Sequence, residues 1–471
     1  MNKKNKIINI LINIIILLIF EILIYALEPY LQEHIKLIIG ILILIVGIIS
    51  FIFHKKKKLN HNNITNLIII LGVLLRTMYI VYTPITVRQH DVDYFNYDGH
   101  LSYIYTIYET GKLPETNYGQ YYHPPVFHLL GAGWLKVNDF FNVSLDKSVE
   151  GLQILTLLFS SLTLFVISRI LSRLKIKEKY KYLINLFFCV NPTFIILSGS
   201  INNDCLEYLF QFIILLYILK YYEKPNIRNS LLLGLMTGLC ILTKFNGIIM
   251  LGPITIMFIY KMYKEKKYEK HIINYSIILL ISLVLGFSYQ IRLYLLFGDI
   301  SVPRPSDYLS LEEYSIFERM IIPSITSIFD KFCQIPGDYN IFAYIVKCSI
   351  FGEYQYEIST IFYNLFIIVN LILIIFSTVL IIKNIKNILK DKMMLLLITN
   401  YVINMTAYLY FNITYPYICT MDFRYIVPTL LTGITLLTIE SNNTKSKSIS
   451  YIINGLIISF IVLSIIFVFI I

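Results

Sequence analysis

Charge is what this sequence lacks most. Asp, Glu, Lys and Arg make up 15% of its 471 residues, against 57% hydrophobic. With a mean hydropathy of +0.68, that composition excludes a soluble globular protein and leaves a polytopic membrane protein. Cysteine is sparse: six residues, at 189, 205, 240, 333, 348 and 419, with no C-x-x-C pair, so neither a disulfide framework nor a zinc ribbon is signalled. Cys333 and Cys348 share one loop and can pair if that loop lies outside the cytoplasm. There is no glycine-rich phosphate loop, and hence no sign of a nucleotide-binding fold. There is no internal repeat and no matching pair of broken apolar segments, which removes the usual sequence mark of a secondary transporter. Although the net charge is +11, the basic runs sit at the ends of apolar spans, so nucleic acid is not an expected partner.

Apolar runs of spanning length dominate what is present. The first covers residues 7–27 behind a basic N-terminus. It is too long for a signal-peptide core, contains Glu21 and is not followed by a small-residue cleavage site, which favours an anchored helix. A second run, 35–53, ends in four lysines at 55–58, and lysine clusters mark the cytoplasmic side. The N-terminus is then cytoplasmic too, and a third run at 67–82 delivers residues 88–125 to the outside. Further spans are read at 151–171, 182–199, 204–220, 229–243, 247–262, 272–296, 358–382, 393–412, 423–440 and 449–471. That makes about thirteen transmembrane helices. Every lysine-rich connection then falls inside, and most acids fall outside. Residues 126–141 are amphipathic, their apolar character broken by Gly131, Gly133, Lys136 and Asn138, and suit the outer interface rather than a crossing.

Four motifs meet on the outer face. The 88–125 loop offers His90, Asp91, Asp93, Asp98, His100 and His123 between apolar spans; it is either a solvated loop or a site for proton transfer or metal binding. Asn203 and Asp204 open a span, where Asp204 also suits a helix N-cap. Lys244 stands at the tip of an apolar hairpin, either snorkelling to headgroups or holding a phosphate. The fourth motif is basic: Arg292, Arg304 and, in the run 422–425, Arg424. Acids able to take a proton from a hydroxyl, beside cations able to hold a departing phosphate, point to a reaction at a lipid-linked phosphate.

These residues carry a resemblance from about Arg76 to Pro428. The chain resembles the C-type (GT-C) membrane glycosyltransferases, most of all bacterial family-39-like members similar to protein O-mannosyltransferases and lipid A aminoarabinose transferases. It rests on His90-Asp91 in the first outer loop, on Tyr122-His123-Pro124-Pro125 where relatives often carry Lys-Pro-Pro, on Asn203-Asp204, on Leu242-Thr243-Lys244, and on Arg424-Tyr425 with Pro428. It implies an all-α bundle, with a two-helix addition at 1–60 before a core at 61–471 whose outer loops, 84–149 and 298–357, carry the site. It also implies transfer of a hexose or pentose, with inversion, from a polyprenyl-phosphate donor to an acceptor outside the cytoplasm: protein, lipid or wall glycan. The base falls on Asp91 beside His90, with Asp98 as the alternative alignment and Asp204 as a second acid. Lys244, Arg292 and Arg424 sit where relatives hold the lipid phosphate, and His100, His123 and Asn203 join the substrate site. The resembled superfamily includes metal-independent and metal-containing members, so no cofactor is assigned. A divalent metal is the one the residues allow, since His90, Asp91, His100, His123 and His128 all have ligand chemistry.

Two other classes compete. A transporter or flippase of a lipid-linked glycan would place charges at mid-membrane depth in broken helices. A membrane scaffold would tolerate Asp91→Asn. The tyrosines and Glu353 of the 298–357 loop suit an acceptor platform or ordinary interfacial anchoring.

Overall fold

The computed structural model describes residues 3–92, 98–300, 309–321, 325–329, 331, 338–386 and 391–471. Among these the chain is helical, with no strand and one isolated bridge between Ser310 and Tyr417. In hydrocarbon the intrahelical bond is the one way a single segment satisfies its own N–H and C=O groups, so the Ile- and Leu-rich runs become helices.

Helices α1 (Lys3–Leu31) and α2 (Ile35–Lys55) form an outlying pair. Only 17% and 11% of their spanning residues are buried, against 67% for α3 (His61–Tyr82), which is the first helix enclosed by the bundle. Within α3, the fully buried Arg76 donates to the carbonyls of Gly72, Phe188 and Cys189 and to Ser160 Oγ. A guanidinium is tolerated there because its N–H groups find acceptors.

The segment after α3 leads through α4 (His100–Thr110) and a 3-10 turn at Gly119–Tyr122 to α5 (Val126–Phe140). Helix α5 runs through Gly131, Gly133, Lys136 and Asn138 without a break. Gly131 instead allows close packing, since a Cβ there would lie 2.8 Å from Ile104 of α4. Helices α6 (Leu145–Glu150) and α7 (Leu152–Leu171) together make one span.

Helices α8 (Glu178–Val190) and α9 (Pro192–Leu197) replace the single span read at 182–199. Pro192 has no N–H for the ladder, and Asn191 starts a new helix by accepting from Phe194 N. Then come α10 (Asp204–Glu223), α11 (Ile227–Thr243), a 3-10 segment at Phe245–Met250, α12 (Leu251–Glu265), α13 (Tyr268–Gly286) and α14 (Ser288–Phe297). Gly234 lets α11 and α13 pack closely: a Cβ there would sit 3.1 Å from Ile278 O.

Short helices α15 (Ile316–Met320), α16 (Ile325–Phe329) and α17 (Ile341–Phe351) follow. The chain closes with α18 (Thr360–Ile385), α19 (Lys392–Thr414), 3-10 turns at Ile418–Met421 and Phe423–Ile426, α20 (Thr429–Asn443) and α21 (Lys447–Ile470). Among the described residues, ten helices are long and apolar enough to cross a membrane. An eleventh is formed by Ile418–Ile426 with Thr429–Asn443, bent by 52°. The sequence count of about thirteen is higher by two segments: the one broken at Pro192, and α11, which has 17 residues.

Candidate active site

The site begins where the chain leaves α3. Gln89 fixes this stretch, donating to Gly199 O (2.9 Å) and accepting from Ile201 N (2.8 Å). Two residues later Asp91 adopts a left-handed conformation, φ 55°, which side chains other than glycine seldom take. Its carbonyl accepts from His100 N at 2.9 Å, so the conformation is held by the start of α4. Backbone strain of this kind concentrates at functional sites.

Asp204 opens α10, with its N–H bound by Asn202 Oδ1 at 3.1 Å. A carboxylate in a first helical turn is favoured by the helix dipole. One turn on, Glu207 points the same way and accepts from Gln211 Nε2 (2.7 Å) and Asn246 Nδ2 (3.0 Å). Lys244 caps the other end of the dipole, at the C-terminus of α11. Its Nζ donates to Asp204 Oδ1 and lies 3.8 Å from Glu207 Oε2. Arg424 comes from the turn at Phe423–Ile426, where Asp422 Oδ1 accepts from its N–H at 2.9 Å. Its guanidinium reaches three carboxylates: Asp91 at 3.3 Å, Asp422 at 3.2 Å and Asp204 at 3.7 Å. The Tyr425 ring lies against both cations, 4.9 Å from Lys244 Nζ and 5.4 Å from the Arg424 guanidinium.

Exposure separates the acids. The Asp91 side chain is 44% exposed, whereas that of Asp204 is 1% exposed and Asp422 and Glu207 are also buried. Crowding by the walls of the site raises the Asp91 pKa, but Arg424, His100 and His90 outweigh it and hold the carboxyl below its ordinary value.

His90 faces a second acidic pair. Its Nδ1 is 3.3 Å from Glu353 Oε2 and 3.9 Å from Asp422 Oδ2, and ligand atoms of the three lie within 4.8 Å of one another. Asp422 Oδ2 is buried and pairs with Arg424 Nε at 3.2 Å without a hydrogen bond, while Oδ1 also accepts from the Cys348 thiol at 2.9 Å. Among the described residues the permanent cations paired with Asp91, Asp204, Glu207 and Asp422 are Lys244 and Arg424. An imidazole and two carboxylates, as in His90, Glu353 and Asp422, fit a divalent cation.

Beside this cluster lies a buried imidazole stack. His100 Nδ1 is 2.9 Å from His128 Nε2, and the His100 and His123 rings stack at 5.4 Å. Tyr103 stacks on His128 at 3.9 Å and donates to Tyr289 Oη, which donates to Tyr121 O. Burial, with Lys244 and Arg424 adding to it, pulls the His100 pKa down to about 4 against the pull of Asp91 and Asp204. Burial also takes His123 and His128 well below the usual value, so all three are neutral at pH 7.

The structure thus brings together Asp91, Asp204, Lys244 and Arg424, with His90 adjoining. It places the other residues singled out in the sequence differently. Asn203 Nδ2 donates to Thr243 O at 3.2 Å, tying α10 to the end of α11. His100 and His123 belong to the imidazole stack. Asp98 makes no ion pair among the described residues; its carbonyl accepts from Gln120 N at 2.6 Å. Arg292 donates to the carbonyls of Leu113 and Pro114, at 3.3 and 2.8 Å, and so holds that loop. Asp93, Arg304, Tyr308 and Cys333 lie outside the described residues, and with Cys333 the disulfide expectation. Sequence reasoning passed over Glu207, although its three-residue spacing from Asp204 was the available signal. It grouped Glu353 with a loop read as acceptor platform or interfacial anchoring, and nothing local to that residue announces His90 or Asp422.

Comparison with known proteins agrees with this architecture. The family model for dolichyl-phosphate-mannose-protein mannosyltransferase matches residues 122–289, a stretch that holds Asp204, Glu207 and Lys244. No curated protein sequence matches. Among solved structures, the archaeal oligosaccharyltransferase AglB from Archaeoglobus fulgidus, in complex with an inhibitory peptide and a dolichol-phosphate, is similar with a TM-score of 0.50 and 13% identity, over 88% of this chain and 56% of that one. ArnT from Cupriavidus metallidurans bound to undecaprenyl phosphate gives a TM-score of 0.47 and 11% identity, over 80% of this chain and 60% of that one. The chain therefore spans less than two thirds of the length of either structure. The chain is thus similar in fold to AglB and, over residues 122–289, similar in sequence to the dolichyl-phosphate-mannose-protein mannosyltransferase family.

Proposed function

We propose that the chain is an integral membrane glycosyltransferase. It moves a sugar from a polyprenyl-phosphate donor to a hydroxyl of an acceptor outside the cytoplasm, with inversion at the anomeric carbon. The observation that carries this reading is Arg424, one guanidinium touching an accessible carboxylate, Asp91, and two buried ones, Asp204 and Asp422.

The division of labour follows from exposure. Asp91 is the acid of this cluster that an incoming hydroxyl can reach, and Arg424 keeps it ionised and ready to accept a proton. As the acceptor oxygen bonds to the anomeric carbon, the carbon–oxygen bond to phosphate breaks and its electron pair stays on the phosphate. The acceptor proton passes to Asp91. Asp204 does not need to meet substrate: buried between Lys244 and Arg424, it sets the position of both cations toward the leaving group. His90, Glu353 and Asp422 are the residues that would hold a divalent cation, whose chemistry would be to neutralise charge on a phosphate oxygen.

The test is donor turnover in nanodiscs, with a panel of polyprenyl-phosphate sugars, crude envelope extract as acceptor, and mass spectrometry of released polyprenyl phosphate. Wild type should release it, and Asp91→Asn should be roughly 100- to 10,000-fold slower. Equal release by both would move the base elsewhere. No release, together with movement of the donor lipid between leaflets, would overturn the reading in favour of a transporter.

A further inference from the structure

A second site lies at the membrane face opposite the first. Helix α10 starts at Asp204 in the catalytic cluster and ends at Glu223, 20 residues away, a rise of about 30 Å. Helix α11 starts at that far end and returns to Lys244. Where α10, α11 and the start of α13 meet at the far face they line an open cavity of about 960 Å³. Its lining includes four cations, Lys220, Lys224, Arg228 and Lys270, and one acid, Glu269. Lys224, Arg228 and Lys270 make no ion pair among the described residues. The neighbouring acids are engaged elsewhere, Glu223 by Arg173 and Lys392, and Glu265 by Lys261 and His271.

The cavity is not polar throughout. Ile227 and Ile273 also line it, and each begins an exposed apolar stripe running toward mid-membrane. On α11 the stripe continues through Leu231 and Leu235, and on α13 through Leu280 and Val284. A cationic chamber far roomier than a phosphate ion needs, opening onto two aliphatic stripes, matches an amphiphile with an anionic head.

We propose that this cavity binds the headgroup of an anionic glycerophospholipid in the leaflet opposite the catalytic cluster, with its acyl chains along the α11 and α13 stripes. The inference is independent of the transfer reaction.

The test uses the full chain in detergent, titrated with phosphatidylglycerol or phosphatidylcholine and followed by native mass spectrometry. Phosphatidylglycerol should bind at least tenfold more tightly. The variant K224Q/R228Q/K270Q should lose roughly fivefold in affinity per cation removed. Glu269→Lys, which exchanges the one lining acid for a cation, should bind phosphatidylglycerol more tightly, and provides a gain-of-affinity measurement if the triple variant folds poorly. Equal binding of the two lipids, an unchanged preference in the triple variant, or no gain in Glu269→Lys would overturn the proposal. Full competition by water-soluble glycerol phosphate would also overturn it, pointing to a soluble phosphate ligand.

Discussion

Replacing Asp204 by Asn tests the central claim about the site, that a buried carboxylate bridges its two cations. The substitution keeps the shape and removes the charge. Lys244 then keeps only Glu207, at 3.8 Å, and Arg424 keeps Asp91 and Asp422, at 3.3 and 3.2 Å. Breaking an isolated buried ion pair costs about 3–5 kcal/mol. Here each cation retains a second acid, and one of four mutually repelling carboxylates is gone, so about 2 kcal/mol is the expected loss. Asp91→Asn is the comparison. Its carboxylate is 44% exposed, and an ion pair that open to solvent contributes about 0–1 kcal/mol. The two variants should therefore separate: both lose turnover, but only Asp204→Asn unfolds measurably earlier. Denaturant midpoints in one detergent, read beside donor release, make the comparison. An Asp204→Asn protein as stable as wild type would refute the buried bridge. An Asp91→Asn protein with wild-type turnover would refute the assignment of the base.

Four further outcomes follow from the geometry. Because Asp91 titrates below the ordinary carboxylate value, the base limb of kcat/KM should stay flat from pH 7 to 5; a limb centred near 6.5 would mean that a histidine is the base. His100 has a folded pKa of about 4 and, unfolded, one near 6.5. The unfolded chain therefore binds the extra proton as pH falls from 6.5 toward 4, so stability should drop across that window, by about 2 kcal/mol for this imidazole at pH 5. Denaturant midpoints should show the drop, and His100→Gln should lessen it. Arg292→Gln should lower turnover less than about tenfold, as expected for a residue holding the 113–114 carbonyls, while Arg424→Gln should cost at least about a hundredfold; the reverse order would place the phosphate at Arg292. Gly119 adopts φ 53°, and a Cβ there would overlap Asp98, so Gly119→Ala should destabilise the protein by about 2 kcal/mol or more, read from its unfolding midpoint.

The sequence alone was enough to establish a polytopic helical membrane protein, because hydrocarbon leaves an apolar segment of this composition the intrahelical bond. It also pointed to the polar positions worth attention. Ionisable residues stand out against long apolar runs, and Asp91, Asp204, Lys244 and Arg424 were all visible on that ground. Where helices break was less legible. The stop at Asn191 and Pro192 and the 52° bend before α20 depend on capping and on neighbours that take up freed backbone groups. What only the tertiary structure decided was pairing. Arg424 lies 333 residues from Asp91, and nothing in the chain order says that it takes Asp91, Asp204 and Asp422 together while Arg292 is spent on two loop carbonyls. Nor does it say that Asp91 opens to solvent while Asp98 stays out of the cluster, or that three histidines stack into a neutral group. Electrostatic roles depend on distance and burial, and both are set by which helices pack together, not by spacing along the chain.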